Sequence, residues 1–423
     1  MKKDIHKNSH ASLNRSRDRK RRNILMLNKM TRKDLIDFEK KIAERFDNGE
    51  MPYLVHLSGG NEDHLIDIFK DINEGDYIFS THRSHYHYLL CGGPPDELED
   101  KILNGKSMFV FNRALNFFSS SIVAATPSIA AGVAWALKRK GSQKKVWCFI
   151  GDGAEEEGHF YEAVSYVHGW NLPCTFIIED NDRSVSSSKK ERRGEASDFA
   201  WPSCVRRYSY VPTYPHGGTG TSGWLKFKKE ACLCEMPRKQ SSELPHNLPS
   251  APNLKYFDAV KKSMETIAKD CGAIFIGYNV KYGSAYGALK DIPESQRLET
   301  PLAENLMAGL AMGVSLEGYR PVLFFERHEF VLNAFDAIAN TLDIIECISD
   351  GQFTMPVIIK AVAGGVKPFY AGLTHTRDMT DVFRSIVSFP VYEPKTAEEV
   401  LCAYELAKSA KTPVMVCEKK ELY

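Results

Sequence analysis

The sequence has no surplus of charge. Its 55 lysines and arginines face 54 acids over 423 residues, a net +1, so no overall field draws it to nucleic acid or a membrane surface. It also lacks a clean apolar run of spanning length. The longest weakly polar stretch, residues 119–137, is interrupted by Pro127 and several serines, and it reads as a buried loop and helix with no membrane span. No apolar segment follows the basic start, which excludes a secretory signal there. Ten cysteines are scattered without such a signal, so they read as thiols in a reducing compartment, and the expected location is cytoplasmic. No short-period repeat is present.

What is there has ordinary globular composition: 43% hydrophobic, 26% charged and 11% aromatic. That length and composition predict roughly two or three domains with their own cores. Residues 1–34 carry a basic run that includes Arg15, Arg17, Arg19, Lys20, Arg21 and Arg22 and read as a solvated arm. Residues 35–205 alternate helical and strand patterns. Val146-Trp-Cys-Phe-Ile150 and Cys174-Thr-Phe-Ile-Ile178 are short apolar runs separated by a helical pattern from Phe160 to Trp170, which means parallel strands in one sheet. Residues 206–253 differ. Arg206 to Lys229 alternates around Gly217-Gly-Thr-Gly220, which predicts a hairpin, and Pro237, Pro245, Pro249 and Pro252 mark an interdomain linker. From 254 to 423 the α/β rhythm resumes: Tyr256 to Lys269 and Glu304 to Leu316 are helical, and Ala273–Ile276, Pro321–Phe325, Val357–Ala361 and Pro413–Val416 are strand candidates. The expected fold is therefore α/β, with mostly parallel sheets flanked by helices.

The strongest chemical signal is Gly151-Asp-Gly-Ala-Glu-Glu-Glu-Gly158, followed by Asn171-Leu-Pro-Cys-Thr-Phe-Ile-Ile-Glu-Asp-Asn181. Asp152 sits just past one strand and Asn181 just past the next. Carboxyl ends of parallel neighbours share an edge, where ligands bind in open α/β folds. A carboxylate and an amide oxygen are hard ligands suited to Mg²⁺, which commonly also binds phosphates. Gly151 and Gly153 let backbone approach those phosphates closely.

These segments resemble the thiamine-diphosphate signature of the alpha subunit of 2-oxo-acid dehydrogenase first components. His56-Leu-Ser-Gly-Gly-Asn-Glu62 is similar to the family's H-L-x-x-G-Q-E, and Thr81-His-Arg-Ser-His-Tyr-His87 to the H-R-G-H-G-H of its acetoin branch. Ser121-Ile-Val-Ala-Ala125 stands at G-I-V-G-A. From Tyr256 the chain resembles the beta subunit: Glu299-Thr-Pro-Leu-Ala-Glu304 at D-T-P-I-S-E, Gly351-Gln-Phe-Thr-Met-Pro-Val357 at G-G-Q-F-x-x-P-V, and His375 at the Q-H-S-Q histidine.

The resemblance implies two thiamine-diphosphate-binding-fold domains fused in one chain: a diphosphate domain at 35–205 and a pyrimidine domain at 254–423. Thiamine diphosphate and Mg²⁺ are the implied cofactors. Asp152, Asn181 and the Arg183 backbone carbonyl match the Mg²⁺ ligands. Gly151, Gly153 and Ala154 fall in the diphosphate turn, Arg83 matches an arginine beside it, and His82 stands where relatives often have tyrosine. Ser121 and Val123 match backbone contacts to the pyrimidine, and Phe330 the aromatic packed on that ring. Glu304 matches the acid that hydrogen-bonds N1′, and His56 and His375 match pocket histidines. Because the superfamily's cofactor lies between domains of different chains, a homodimer or dimer of dimers is implied.

The chain departs from the family pattern in four places. The alpha-like part is short after Asn181, and only Tyr214-Pro-His-Gly217 could replace the distal loop, which leaves His216 open as a site residue. Phe109 replaces a usual histidine. Glu326 stands where the family has Gln or Met. The chain stops at Tyr423, so the C-terminal transketolase-type domain, which docks the lipoyl-bearing partner, is expected to be absent. The first functional reading is decarboxylation of a 2-oxo acid with transfer of the acyl or aldehyde fragment. The alternative is a free-standing transketolase- or carboligase-type enzyme using a ketose or small carbonyl. A third, a non-catalytic regulatory subunit, is disfavoured because Glu304, Asp152 and Asn181 are all present. Cys204, Cys232 and Cys234 could hold zinc with His216 or His246, but free thiols are the preferred reading. Residues 186–193 read as a mobile loop at the mouth of the site.

Overall fold

The computed structural model describes residues 30–194, 199–220, 227–231, 235–248, 250–251, 253–367 and 370–423. The arm's basic run, Cys232, Cys234, Pro249 and Pro252 lie outside them.

The first half runs α1 (Arg32–Asp47), α2 (Glu62–Ile68), β1 (Tyr77–Ser80), α3 (His85–Leu90), α4 (Pro95–Leu103), β2 (Phe111–Asn112), β3 (Phe117–Ser119), α5 (Ala125–Arg139), β4 (Val146–Gly151), α6 (Gly158–Gly169), β5 (Cys174–Asp180), β6 (Arg183–Ser184), β7 (Ser187–Ser188), α7 (Lys189–Arg193) and β8 (Val205–Ser209). The second half runs α8 (Tyr256–Cys271), β9 (Ile274–Gly277), β10 (Arg297–Glu299), α9 (Glu304–Leu316), β11 (Pro321–Phe324), α10 (His328–Ala337), α11 (Ile345–Ile348), β12 (Ile358–Ala363), α12 (Thr380–Ile386), β13 (Val391–Tyr392), α13 (Ala397–Ser409) and β14 (Val414–Lys419). A capping box starts α1: Thr31 Oγ1 accepts from Asp34 N, and the Asp34 carboxylate accepts from Thr31 N.

Two six-stranded sheets result, ordered β2-β3-β1-β4-β5-β8 and β10-β9-β11-β12-β14-β13. Within these two sheets every pair is parallel except β2 with β3, as the strand–helix–strand order requires, and β6 pairs with β7 in a separate antiparallel hairpin. Strand residues alternate between layers. Cys148 and Ile150 of β4 join a central core that also holds Ile276, Leu310 and Ile359 of the second half, while Trp147 and Phe149 face an outer core with Phe38 and Phe69. The corresponding outer core of the second sheet contains Val260, Phe275, Tyr404 and Val416.

The halves meet where α5 crosses α9. Small residues let the backbones touch: a Cβ added to Gly313 would stand 2.1 Å from the Ile129 carbonyl oxygen, and one added to Gly309 would stand 2.1 Å from Ser128 Cβ. The Ala- and Gly-rich composition of residues 304–316 serves this contact. Residues 119–137 divide into a half-exposed loop, with Val123 outward, and the buried α5. No helix among the described residues is long and apolar enough to cross a membrane.

One element differs from expectation. Val205–Ser209 is not the first arm of a hairpin: it is β8, the edge strand of the first sheet, paired in parallel with β5. Its alternation reflects one covered and one open face. Beyond it, residues 210–218 run back along residues 55–60, tied by Thr213 N to Gly59 O at 3.1 Å and Gly218 N to Val55 O at 2.9 Å. Residues 235–248 are irregular and pack on the second half, where Gln240 N donates to Ser388 O at 2.8 Å.

Candidate active site

A cavity opens at the carboxyl ends of β1, β4 and β5, and the described residues that line it all lie between Ser58 and His216. It gathers ten of the residues expected from sequence: His82, Arg83, Ser121, Val123, Gly151, Asp152, Gly153, Ala154, Asn181 and Arg183. The strands place them there, because β4 ends at Gly151 and β5 at Asp180 in adjacent, parallel register.

Asp152 is 1% exposed. Its Oδ2 accepts from Arg192 Nη2 at 2.9 Å, while Oδ1 is buried with no partner among the described residues. Burial pushes this carboxyl's pKa up, the Arg192 hydrogen bond opposes that, and the charge of Asp180 adds to it. Asn181 Oδ1 accepts from Arg183 N at 3.0 Å, an Asx turn that presents the amide at the strand end. An orphaned carboxylate oxygen, an amide oxygen and the Arg183 carbonyl form a hard donor set that fits Mg²⁺. Beneath them, Glu179 accepts from Asn61 Nδ2 at 3.1 Å, also accepts the Tyr208 hydroxyl hydrogen bond, and meets His87 Nε2 at 3.2 Å. Asn61 Oδ1 is a second buried acceptor left without a partner.

At the other wall three imidazoles converge, with His82 and His216 lining the cavity and His56 beside them. The ring of His56 lies 4.6 Å from that of His82 and 4.7 Å from that of His216, and His82 and His216 are 5.5 Å apart. One nitrogen from each falls within 4.8 Å of the others, a spacing able to hold a softer divalent ion. Arg83 opposes that use, since its Nη2 donates to the His216 carbonyl at 3.3 Å and its charge depresses all three rings. Burial is the larger cause: His56 is pushed down to about 4, His82 well below its ordinary value, and His216 down. Three neutral rings side by side can pass or hold a single proton. His216 arrives because the return of residues 210–218 along residues 55–60 carries it there.

Residues 30–201 match the family described as dehydrogenase E1 component. The chain is 34% identical, across 163 residues, to the alpha subunit of acetoin:2,6-dichlorophenolindophenol oxidoreductase of Cupriavidus necator, which covers 36% of this chain and 49% of that subunit. It is 29% identical over 189 residues to the pyruvate dehydrogenase E1 component subunit alpha of Porphyra purpurea, which covers 39% and 55%. The chain thus spans about half the length of the curated relatives it matches. Among solved structures, transketolase from Campylobacter jejuni superposes over 92% of this chain and 78% of that one, with a TM-score of 0.64 at 16% identity. A transketolase variant from Pichia stipitis does so over 90% and 77%, with a TM-score of 0.62 at 14% identity. At such identities the likeness is one of fold, and it extends the α/β assignment across both sheets.

Of the remaining expected residues, His56 stands beside His82 and His216 without lining the cavity, and Glu304, Phe330 and His375 lie outside the E1-like part and do not line it either. Glu304 opens α9, half-buried, and accepts from Asn333 Nδ2 at 3.2 Å. Phe330 packs edge-on to His375, with centroids 5.4 Å apart, and to Tyr278 at 6.0 Å. The Tyr278 hydroxyl pKa is driven up by burial and then by the charges of Glu304 and Glu326. Glu326 is buried: Oε1 accepts from Ala285 N at 2.7 Å, and Oε2 has no partner among the described residues. These groups form a second constellation beyond the carboxyl end of β11.

One reading needs correction. Residues 186–193 are not a bare loop. They hold β7 and α7, and the Ser188 and Glu191 capping box that starts α7 is an S-x-x-E signal present in the sequence. Of the basic residues there, Arg192, whose side chain is 13% exposed, binds Asp152 and Glu156. Asn61 lay within a quoted motif without a role, and its orphaned oxygen is visible only in three dimensions. Cys204 is half-buried as a free thiol, and the rest of its expected cluster falls outside the described residues apart from His216 and His246.

Proposed function

We propose that the chain is a thiamine-diphosphate- and Mg²⁺-dependent enzyme that cleaves a carbon–carbon bond beside a carbonyl, decarboxylating a 2-oxo acid and passing the acyl or aldehyde fragment to an acceptor. The observation that carries this reading is Asp152, buried at the end of β4 with an unpaired oxygen, next to Asn181 at the end of β5. In this reading residues 35–205 bind the diphosphate and residues 254–423 the pyrimidine.

Asp152, Asn181 and the Arg183 carbonyl hold the metal, and Arg83 and the Gly151–Ala154 turn hold the diphosphate. When bound, thiamine diphosphate supplies a C2 nucleophile and an electron sink for the carbanion left by bond cleavage. Glu304 holds a proton at N1′, which favours the tautomer able to take the C2 proton. Phe330 and the backbone at Ser121 and Val123 orient the ring. His56, His82 and His216 stand neutral near pH 7 and move a proton at the substrate carbonyl oxygen. His375, on Phe330, serves the same pocket from the other half.

Glu304 and Asp152 belong to separate constellations of one chain, and the reading requires a homodimer, or a dimer of dimers, in which each pocket draws on two copies. A lipoyl protein is one acceptor class. A small aldehyde is the other, and would make the chain a free-standing carboligase.

The test is incubation of the purified chain with thiamine diphosphate, Mg²⁺ and a panel of 2-oxo acids, with and without aldehydes, following CO₂ and products by mass spectrometry. CO₂ release with a new hydroxyketone assigns the small-acceptor branch. CO₂ release only with an artificial electron acceptor assigns the dehydrogenase branch. Cofactor binding without CO₂ from any oxo acid rejects the decarboxylase reading in favour of a ketose donor.

A further inference from the structure

The acidic end of the cavity already contains a cation supplied by the chain. Arg192 Nη2 lies 2.9 Å from Asp152 Oδ2, and its Nε lies 3.0 and 3.1 Å from the Glu156 carboxylate oxygens. Its other amino group donates to the Ser187 carbonyl within the same hairpin. Lys189, at the other end of α7, pairs with Asp180 beside the metal ligand Asn181. Thus one five-residue helix holds carboxylates at the ends of β4 and β5, while Arg183, Ser184 and Val185, at the foot of that hairpin, line the cavity.

We propose that Arg192 is the resident counter-ion of the metal site: with no metal bound it neutralises Asp152, and an arriving divalent ion displaces it, which frees α7 from its tie to Asp152 while Arg183, whose carbonyl holds the ion, stays in place. This rests on the reading of Asp152 as a metal ligand. The displacement follows from Coulomb repulsion. An ion held by the unpaired Oδ1 would sit only about 5 Å from the guanidinium, and at the effective dielectric of a protein such a like charge costs the ion more than tenfold in affinity. Glu156 gives the displaced guanidinium somewhere to stay, since two of its contacts do not involve Asp152. Loading of the metal, and of the diphosphate it would bridge, is thereby coupled to a movement of α7.

The test is Mn²⁺ binding to the full chain, without diphosphate, followed by electron paramagnetic resonance for wild type, Arg192→Gln and Asp152→Asn. Arg192→Gln should bind at least about tenfold more tightly, and Asp152→Asn should lose binding. Unchanged or weaker binding by a folded Arg192→Gln, with binding still lost in Asp152→Asn, overturns the counter-ion role and leaves the metal site standing. Wild-type affinity in Asp152→Asn overturns both. Should Arg192→Gln fail to fold, hydrogen exchange of the wild type decides. Backbone amides of 187–194 should exchange several-fold faster on saturation with Mn²⁺, and equal or slower exchange rejects the displacement.

Discussion

A buried histidine outside the cavity should make this protein acid-sensitive in a definable way. His328, at the start of α10, is fully buried, with its Nδ1 accepting from Met379 N at 3.0 Å. That bond exists only while Nδ1 is unprotonated. Its Nε2 has no partner among the described residues, and the ring stands edge-on to Phe383 at 5.2 Å. Burial pushes its pKa from 6.5 to about 4, despite Asp378 pulling upward at 3.7 Å. The unfolded chain therefore takes this proton before the native one does. Stability is fully present above 6.5 and is lost as pH falls toward 4. At about 1.4 kcal/mol per unit, this one ring costs the native state about 3 kcal/mol across the window. His56, lowered by the same amount, works in the same direction. Asp152 and Glu162 are raised by burial and work against it, and Asp378, held at about 2, contributes only below the ordinary carboxylate range. The variant His328→Asn isolates the term, because its amide oxygen can replace Nδ1 as acceptor but does not titrate. It should cost about 1–3 kcal/mol near pH 7 from lost packing. By urea unfolding at a series of pH values, the gap to wild type should close by about 3 kcal/mol by pH 4. A gap that is the same at both ends of the series would refute the argument, whatever its size.

Other outcomes follow from the same geometry. Glu304→Gln should slow exchange of the thiamine C2 proton, read by NMR on the bound cofactor, by at least about a hundredfold while leaving Mn²⁺ affinity at the wild-type value. His216→Asn should lower kcat/KM by about ten- to a hundredfold with cofactor affinity little changed, whereas a structural His216 would alter stability alone. Gly313→Val places a side chain where even a Cβ stands 2.1 Å from the Ile129 carbonyl oxygen. It should destabilise the chain by about 1–3 kcal/mol, seen as a lower Tm.

The architecture was legible because its signals are local. Val146–Ile150 and Cys174–Ile178 are uninterrupted apolar runs that only a two-sided buried strand accommodates, and the glycines of α9 marked a close helix contact. The edge strand β8 escaped because Val-Arg-Arg-Tyr-Ser, with one open face, looks like half a hairpin. At the site, Asp152 and Asn181 were legible from chain order, since consecutive parallel strands end side by side. His216 was not: its arrival at His56 depends on two backbone hydrogen bonds between segments more than a hundred and fifty residues apart, which no local pattern encodes. Arg192 was missed for a related reason, because a basic run is usually solvated and only the fold shows which carboxylate waits for it.

The exposed apolar residues bear on where the two constellations meet. Val123 stands two positions after Ser121, Leu302 two before Glu304, Leu332 two after Phe330 and Leu373 two before His375, and all four are exposed. Scattered surface leucines need no account, but these adjoin expected site residues in both halves of the chain. If each pocket were completed within one copy, nothing would connect outward apolar side chains on the E1-like half with those on the other. A pocket assembled from two copies does connect them, because Glu304 and Phe330 of one copy would approach Ser121 and Val123 of the other and these side chains would leave water together. The demand is direct: Asp152→Asn and Glu304→Gln chains, each inactive alone, should regain activity when unfolded and refolded together, because a mixed dimer holds one pocket free of either substitution. No recovery from a mixture shown by mass spectrometry to contain the mixed dimer would rule out a pocket that takes Asp152 from one copy and Glu304 from the other.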